Sequence, residues 1–294
     1  MHADRLLRAA VAAGALAAAV AQADPPPVLD APESAYWHEG SRSWYVSSLG
    51  GGLSVARDGV GWISRFDAEG RVVAARWVEG LDAPTGIASV GDTLFVADRG
   101  GLLEIDVAAA KLLRTIELPG VAFANDVAAA ADGTVYVSDM AGNRIYRVRP
   151  GRPAEVWLKG EALQNPNGLW VDGDRLLVGT WGPMIDPGGF AVRHPGRVQS
   201  VDRGSGAITP LGSGEPVASI DGLVRVGEHL FATDWPGGRL LRFDAEGRHV
   251  VAASGFQQLA DLGYSASTRT IALPVMGDNR LVLLHLDALD GRTP

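Results

Sequence analysis

One position recurs six times along the chain at the start of an apolar segment, and it carries a side-chain oxygen in most copies. The six segments are Pro32-Glu33-Ser34-Ala35, Pro84-Thr85-Gly86-Ile87, Ala124-Asn125-Asp126-Val127, Pro166-Asn167-Gly168-Leu169, Ile220-Asp221-Gly222-Leu223 and Leu259-Ala260-Asp261-Leu262. Their second residues are equivalent, and the carboxylates and carboxamides among them are Glu33, Asn125, Asn167 and Asp221. If six such strands start around one axis, these four side chains meet at one point. Two carboxylates and two carboxamides are a ligand set for a hard divalent cation.

The donor types favour calcium. Oxygen donors without His or Cys suit Ca²⁺, with Mg²⁺ or Mn²⁺ as alternatives, and disfavour zinc. Each residue taken alone could simply bind turn amides at a strand start, as Asn and Asp commonly do. Four donors at one repeat position, with only Thr85 and Ala260 differing, favour a shared cation instead.

The elements that must position these residues recur with the same period. The steps between aligned positions are 52, 40, 42, 54 and 39 residues, so the unit is about 40 residues with two insertions. Each aligned position is followed by a second apolar strand, such as Tyr136-Val137-Ser138-Asp139, and then by a third, such as Arg144 to Arg149. Five units then supply a fourth strand. A four-stranded unit of this period is typical of propeller blades, so we predict an all-β, six-bladed β-propeller with a metal site at one mouth of the central channel.

Two segments test this pattern. The last unit ends soon after its third strand, and we expect Val28-Leu29-Asp30 to supply the missing outer strand and close the ring. Residues Val107 to Leu113 could form a helix by their alanines and lysine. The repeat requires a turn and a strand there, and we give it precedence over local propensity.

The topology also predicts which loops share the mouth with the four donors. If the inner strand starts at that face, the second strand returns to it, so the loops after the second strands surround the mouth. The two insertions are such loops, at Leu49 to Gly61 and Trp181 to Gly196. We expect them to form walls or a lid and to select the substrate.

The order and spacing of these motifs carry a family resemblance. Glu33 in Pro-Glu-Ser-Ala-Tyr-Trp, Asn125-Asp126, Pro166-Asn167-Gly168-Leu169 and Asp221-Gly222 span nearly the whole chain after residue 23. The pattern resembles the regucalcin/gluconolactonase/luciferin-regenerating-enzyme-like family of six-bladed calcium propellers, to which paraoxonases and diisopropyl fluorophosphatase are related. The resemblance implies that Glu33, Asn167 and Asp221 coordinate the metal and that Asn125 is a further ligand or a substrate contact.

The chain departs from the sugar-lactonase pattern at one substrate position. That pattern has an Arg two residues before the first Asn, where this chain has Phe123. Substrate contacts are therefore expected from Asn125, Phe123, Trp181 and Trp235, with Met140 nearby. A pocket of this kind should prefer a substrate that is less anionic or more apolar than an aldonic-acid lactone.

Asp221 is the expected catalytic carboxylate. A calcium ion that polarises a carbonyl or phosphoryl oxygen offsets developing negative charge, while a carboxylate takes a proton from water or attacks directly. The alternative is that Asp221 only holds the metal. His194 in the second insertion is a candidate base but is more simply a solvated loop residue. Asp98, Asp139 and Asp234 end their second strands and are expected to hold the following turns, and a Gly-x-Ser-x-Gly elbow is absent.

Composition sets the cellular context. Residues 1–23 have the form of a secretory signal peptide, with Arg5 and Arg8, an apolar stretch and Ala21-Gln22-Ala23 before the cut, so the propeller is predicted for residues 24–294. The chain has no cysteine and a formal net charge of −8. We expect a periplasmic protein that binds neither nucleic acid nor, after signal cleavage, membrane.

Together these features predict an exported calcium-dependent hydrolase of lactones or related esters, with a small-molecule substrate. The competing function is a non-catalytic propeller that binds a small ligand, glycan or peptide at the same mouth around a structural calcium. Oligomeric state has no signature in the sequence.

Overall fold

The computed structural model describes residues 27–51, 56–186 and 190–289. Within them, strands form six successive antiparallel sheets, each built from consecutive chain segments. The first three blades consist of β1 (Pro32–His38), β2 (Ser43–Ser48), β3 (Gly61–Phe66) and β4 (Val72–Leu81); β5 (Ile87–Val90), β6 (Thr93–Asp98), β7 (Gly101–Asp106) and β8 (Lys111–Ile116); and β9 (Ala124–Ala129), β10 (Val135–Asp139), β11 (Arg144–Val148) and β12 (Glu155–Lys159). This is the predicted six-bladed propeller.

The second half of the ring repeats the pattern with one strand fewer. Its blades consist of β13 (Pro166–Asp172), β14 (Arg175–Thr180), β15 (Val198–Asp202) and β16 (Ile208–Pro210); β17 (Ile220–Val226), β18 (His229–Asp234), β19 (Arg239–Phe243) and β20 (His249–Ser254); and β21 (Gly263–Ser265), β22 (Thr270–Val275) and β23 (Arg280–His285). Two short 3-10 helices, Glu161–Leu163 and Met276–Asp278, precede β13 and β23, and a helical turn, Leu286–Leu289, follows β23. No helix among the described residues is long and apolar enough to cross a membrane.

The core lies between neighbouring blades. One apolar cluster joins Leu177 of β14 to Leu223 of β17 and Leu241 of β19, so the side chains of adjacent sheets interdigitate. The outer strands are more exposed to solvent: Val73 on β4 is 53% exposed and Val250 on β20 is 54% exposed. Each blade is therefore stabilised mainly through its two neighbours, by apolar burial worth about 25 cal/mol per Å².

The segment from Val107 to Leu113, which could also form a helix by its local sequence, adopts the structure that the repeat requires. Residues 107–110 form a turn and β8 pairs with β7, so the prediction of a turn and a strand is confirmed. The five predicted outer strands are likewise present as β4, β8, β12, β16 and β20.

The prediction that Val28-Leu29-Asp30 completes the last blade is wrong. The sheet of β21 to β23 has three strands, and residues 28–30 are not in a strand. The Val28 carbonyl instead accepts hydrogen bonds from Trp62 Nε1 at 3.0 Å and Ser64 Oγ at 2.7 Å, so this segment is fixed to blade one. Leu29 is buried in a cluster against which Leu283 of β23 packs, so this segment also contacts the last blade. The predicted signal peptide lies outside the described residues.

Candidate metal and substrate site

The four predicted donors line one cavity at the mouth of the channel. Glu33, Asn125, Asn167 and Asp221 come from β1, β9, β13 and β17 and enclose a cavity volume of about 40 Å³. All four side chains are almost fully buried. Thr85 also lines the cavity, whereas the sixth equivalent residue, Ala260, is not among its lining residues.

A β-bulge sits at each of the four donor positions. In blade one, Pro32 pairs with Ser48 and Ala35 with Val46, so three steps on β1 span two on β2. The same extra residue occurs in β9, β13 and β17. A bulge bends its strand and redirects side chains, and here it turns the inner strands where Glu33, Asn125, Asn167 and Asp221 face the cavity.

Hydroxyl groups on the second strands accept the amide hydrogens that three of these bulges leave out of the ladder. Ser47 Oγ accepts from the Ser34 N–H at 3.0 Å, and Ser138 Oγ accepts from the Asp126 N–H at 2.8 Å. Thr233 Oγ1 accepts from the Gly222 N–H at 2.8 Å. Because an unpaired buried N–H is costly, these hydroxyls stabilise the bulged conformation that presents the donors.

Glycine directly after an aligned position, as at Gly86 and Gly168, allows neighbouring inner strands to touch. A Cβ on Gly168 would lie 2.3 Å from the Asp221 carbonyl oxygen, and one on Gly86 would lie 2.5 Å from the Asp126 Cα. The Gly86 N–H donates to the Asn125 carbonyl at 2.7 Å. The absence of a side chain at these positions thus brings donors from different blades to one axis.

One oxygen of each donor side chain is buried without a hydrogen-bond partner. These atoms are Glu33 Oε2, Asn125 Oδ1, Asn167 Oδ1 and Asp221 Oδ1. Buried polar atoms are normally paired, and four unpaired acceptors in one cavity match the donor chemistry of a hard cation. Among the described residues, no group of three or more His, Cys, Asp or Glu side chains forms a metal-binding cluster. Any cation here would depend on the carboxamides as well as on the carboxylates.

Further carboxylates lie next to the site and were missed by sequence reasoning. Asp126 and Asp261 follow two of the aligned positions and line a cavity of about 230 Å³ along the inner strands, away from the donor mouth. The Asp126 carboxylate accepts hydrogen bonds from the N–H groups of Val127 and Leu169, each at 2.6 Å. Asp261 Oδ2 accepts from Ser34 Oγ at 2.5 Å. An aspartate directly after an aligned position, as in Asn125-Asp126 and Ala260-Asp261, was the sequence signal that could have identified these two carboxylates.

Burial raises the pKa values of all four acids, and repulsion by neighbouring carboxylates adds to this for Glu33, Asp126 and Asp221. Burial and then the charge of Asp221 raise the pKa of Glu33 well above its usual value. Burial and then the charge of Asp261 raise the pKa of Asp221 well above its usual value, although a hydrogen bond with Asn167 partly lowers it. Burial raises the pKa of Asp261 to about 7, and the pKa of Asp126 is also raised. No Lys, Arg or His side chain is among the described residues that line the two cavities, so the protein supplies no cationic side chain there.

Apolar side chains form the wall of the mouth. Phe123, Met140, Trp181 and Trp235 line the cavity as the sequence indicated, together with Leu49, Phe190 and Met276. The ring centroids of Trp181 lie 5.7 Å from those of both Phe190 and Trp235. Phe190 belongs to the second insertion, so that loop contributes to the wall. Leu49 and Phe190 were not singled out in the sequence, because their orientation depends on loop conformation.

The remaining candidates have structural roles. The carboxylates of Asp98, Asp139 and Asp234 each accept a hydrogen bond from the turn after their strand, from the N–H groups of Arg99 at 2.8 Å, Gly142 at 2.9 Å and Gly237 at 3.3 Å respectively. The prediction that these aspartates hold turns is confirmed. His194 does not line the cavity, and its Nδ1 lies 2.8 Å from the Pro195 carbonyl oxygen.

Comparison with known proteins identifies the fold. No protein-family model and no curated protein sequence matches the chain. Among solved structures, a gluconolactonase from Xanthomonas campestris is similar, with 19% identity and a TM-score of 0.61 over 83% of each chain. The calcium-binding protein regucalcin from Agrobacterium tumefaciens has 19% identity and a TM-score of 0.60, over 85% of this chain and 82% of that one.

The chain has the propeller fold of the gluconolactonase and regucalcin structures. A chain in a nidogen/laminin complex is also similar, with 14% identity and a TM-score of 0.60 over 79% of this chain and 92% of that one. One propeller architecture thus occurs in proteins of different function, so the argument for function must come from the site.

Proposed function

We propose that the protein is an exported, calcium-dependent hydrolase of lactones or related esters, active in the bacterial periplasm. The observation that carries the proposal is the set of four unpaired side-chain oxygens in one cavity with an apolar wall. Glu33, Asn125, Asn167 and Asp221 are the residues that would hold the cation. The similarity to a gluconolactonase and to a calcium-binding regucalcin is in keeping with this chemistry.

The bound cation would supply Lewis acidity that offsets negative charge on the carbonyl oxygen of the substrate. Asp221 is the proposed proton acceptor, because it is a carboxylate that lines the cavity and its Oδ1 is buried without a hydrogen-bond partner. In this role its carboxylate takes a proton from the water that attacks the carbonyl carbon. Asn125 orients the substrate or completes the metal site, and Phe123, Trp181 and Trp235 contact the apolar part of the substrate and exclude water.

The test is hydrolysis of a panel of lactones and aryl esters by purified protein, with calcium and after its removal. The proposal predicts hydrolysis that is lost on chelation and restored by calcium. Magnesium and manganese serve as alternative metals in the same assay. Absence of hydrolysis on the whole panel, with calcium bound, would contradict it.

The second candidate is a non-catalytic propeller that binds a small ligand, glycan or peptide at this mouth around a structural calcium. The aromatic wall of Trp181, Phe190 and Trp235 is equally suited to binding without reaction, and a similar propeller occurs in a nidogen/laminin complex. Ligand binding without turnover in the same panel would favour this function.

A further inference from the structure

The donor mouth has a cationic rim that the aligned motifs do not show. Arg99 follows β6, and its guanidinium carbon lies 5.5 Å from the ring centroid of Phe123, which lines the cavity. The Arg99 Nη1 donates a hydrogen bond of 2.6 Å to the Ala122 carbonyl. The guanidinium is thus fixed beside the wall of the cavity, although the aligned position carries Phe123.

A second arginine lies against the first. Arg57, from the first insertion, donates from Nη2 to the Arg99 carbonyl at 2.7 Å. No carboxylate lies within 4.0 Å of either guanidinium in the part of the chain that the structure describes, whereas Arg71, Arg114 and Arg248 on the outside of the blades are paired with acids. Two guanidinium groups without acidic partners thus stand on the side of the mouth formed by blades one to three.

The opposite side of the mouth is aromatic. Trp181 follows β14 of blade four and Trp235 follows β18 of blade five, while Phe190 lies 6.0 Å from Trp235 between ring centroids. A molecule placed over the four oxygens would therefore meet cationic groups at one end and apolar rings at the other. Guanidinium groups pair with oxyanions through parallel N–H···O bonds.

We propose that Arg99, assisted by Arg57, binds an oxyanion on the ligand while Trp181, Phe190 and Trp235 bind its aromatic or alkyl end. The ligand is then an amphiphilic anion, and its reacting ester or lactone group lies between the two ends. This inference rests on the proposed function, because it names the substrate class of the same mouth. Arg99 acts here as a specificity-determining residue and takes no part in proton transfer.

The test compares ligands that differ only in charge. Calcium-loaded protein is titrated calorimetrically with ω-phenylalkanoates of increasing chain length, with the corresponding amides and with phenylalkyl phosphates. We expect the anions to bind more tightly than the amides, and Arg99→Gln to weaken the anions by about tenfold to a hundredfold while leaving the amides unchanged. Arg57→Gln should have a smaller effect of the same kind. The carboxylate and phosphate arms show which oxyanion the rim prefers.

Matched variants separate the two ends of the site. Arg114→Gln removes a guanidinium from the outer strand β8 and should change no affinity, whereas Trp235→Ala should weaken anions and amides alike. A preference for anions that survives in Arg99→Gln, or equal binding of anions and amides to the unaltered protein, would overturn the inference. So would a lack of binding by every ligand.

The phenylalkanoates have no hydrolysable bond, so their binding and its dependence on Arg99 are measured independently of turnover. If the Arg99-dependent preference is found but no ester is hydrolysed, the ligand class stands and the hydrolase proposal fails. If esters are hydrolysed without any Arg99-dependent preference, the hydrolase proposal stands and this inference fails.

Discussion

Replacing Asp221 by Asn separates metal binding from proton transfer. The change keeps an oxygen of similar position on β17 but removes a negative charge and the proposed proton acceptor. Asp221 is 4% exposed and its Oδ1 has no hydrogen-bond partner, and the amide oxygen of Asn can still accept the hydrogen bond from Asn167, so we expect the fold to survive the change. Calcium affinity should fall because one of the two carboxylate ligands becomes neutral.

The expected kinetic effect is much larger than the effect on affinity. Loss of a positioned acid or base slows a reaction by about two to four orders of magnitude. This corresponds to about 3–5 kcal/mol of barrier height, at 1.36 kcal/mol for each tenfold change. Hydrolysis is measured at saturating calcium, so that weaker metal binding does not contribute, and calorimetry checks that the metal is bound.

Asp172→Asn is the matched control. Asp172 ends the inner strand β13 away from Asn167, and its carboxylate pairs with Arg225 at 2.8 Å on the surface. Exposed pairs of this kind contribute about 0–1 kcal/mol, so activity should be unchanged. Full activity of Asp221→Asn with calcium bound would refute the assignment of Asp221 as the proton acceptor.

The other predictions concern the metal site and its support. Chelation should lower the melting temperature and calcium should raise it again, because at a calcium concentration of 100 times the Kd the bound ion adds about 2.7 kcal/mol to the free energy of unfolding. Asn167→Ala should reduce this calcium-dependent rise in melting temperature. Asn143→Gly loses the hydrogen bond to the Asn165 N–H and should lower the melting temperature equally with and without calcium; a smaller calcium shift in this variant would contradict the assignment. Thr233→Val removes the acceptor for the Gly222 N–H and should lower stability by about 1–3 kcal/mol and also weaken calcium binding, both measurable by calcium titration with thermal melts. In metal-free buffer the raised pKa values of the four buried acids, Glu33, Asp126, Asp221 and Asp261, mean that the folded protein binds more protons than the unfolded chain. The free energy of unfolding should therefore fall as the pH rises from about 4 towards 7. A metal-free stability that rises over this range would contradict this prediction.

The repeat made most of the fold predictable. Strand starts spaced by about 40 residues, with an apolar strand after each, were sufficient to predict six blades and to place Glu33, Asn125, Asn167 and Asp221 at one mouth. Even the segment from Val107 to Leu113 followed the repeat, because packing between blades outweighs its local helix propensity. The failure at Val28-Leu29-Asp30 has a local cause, since hydrogen bonds from the Trp62 and Ser64 side chains fix this segment to blade one.

Details below the level of the repeat were not predictable in the same way. The bulges depend on strand register, although the hydroxyls of Ser47, Ser138 and Thr233 at one common position were a usable signal. The approach of Arg99 to Phe123 joins two loops from different blades, and nothing in either segment shows that contact. Sequence periodicity therefore located the donors, while the walls and rim of the site depended on tertiary structure.

Calcium titration of the metal-free protein by calorimetry is the most direct test of the central claim. The account predicts binding at one site per chain in the donor mouth, with affinity reduced in Glu33→Gln, Asn167→Ala and Asp221→Asn and unchanged in Asp172→Asn. Absence of calcium, magnesium and manganese binding would contradict it, as would binding that all three donor variants leave intact.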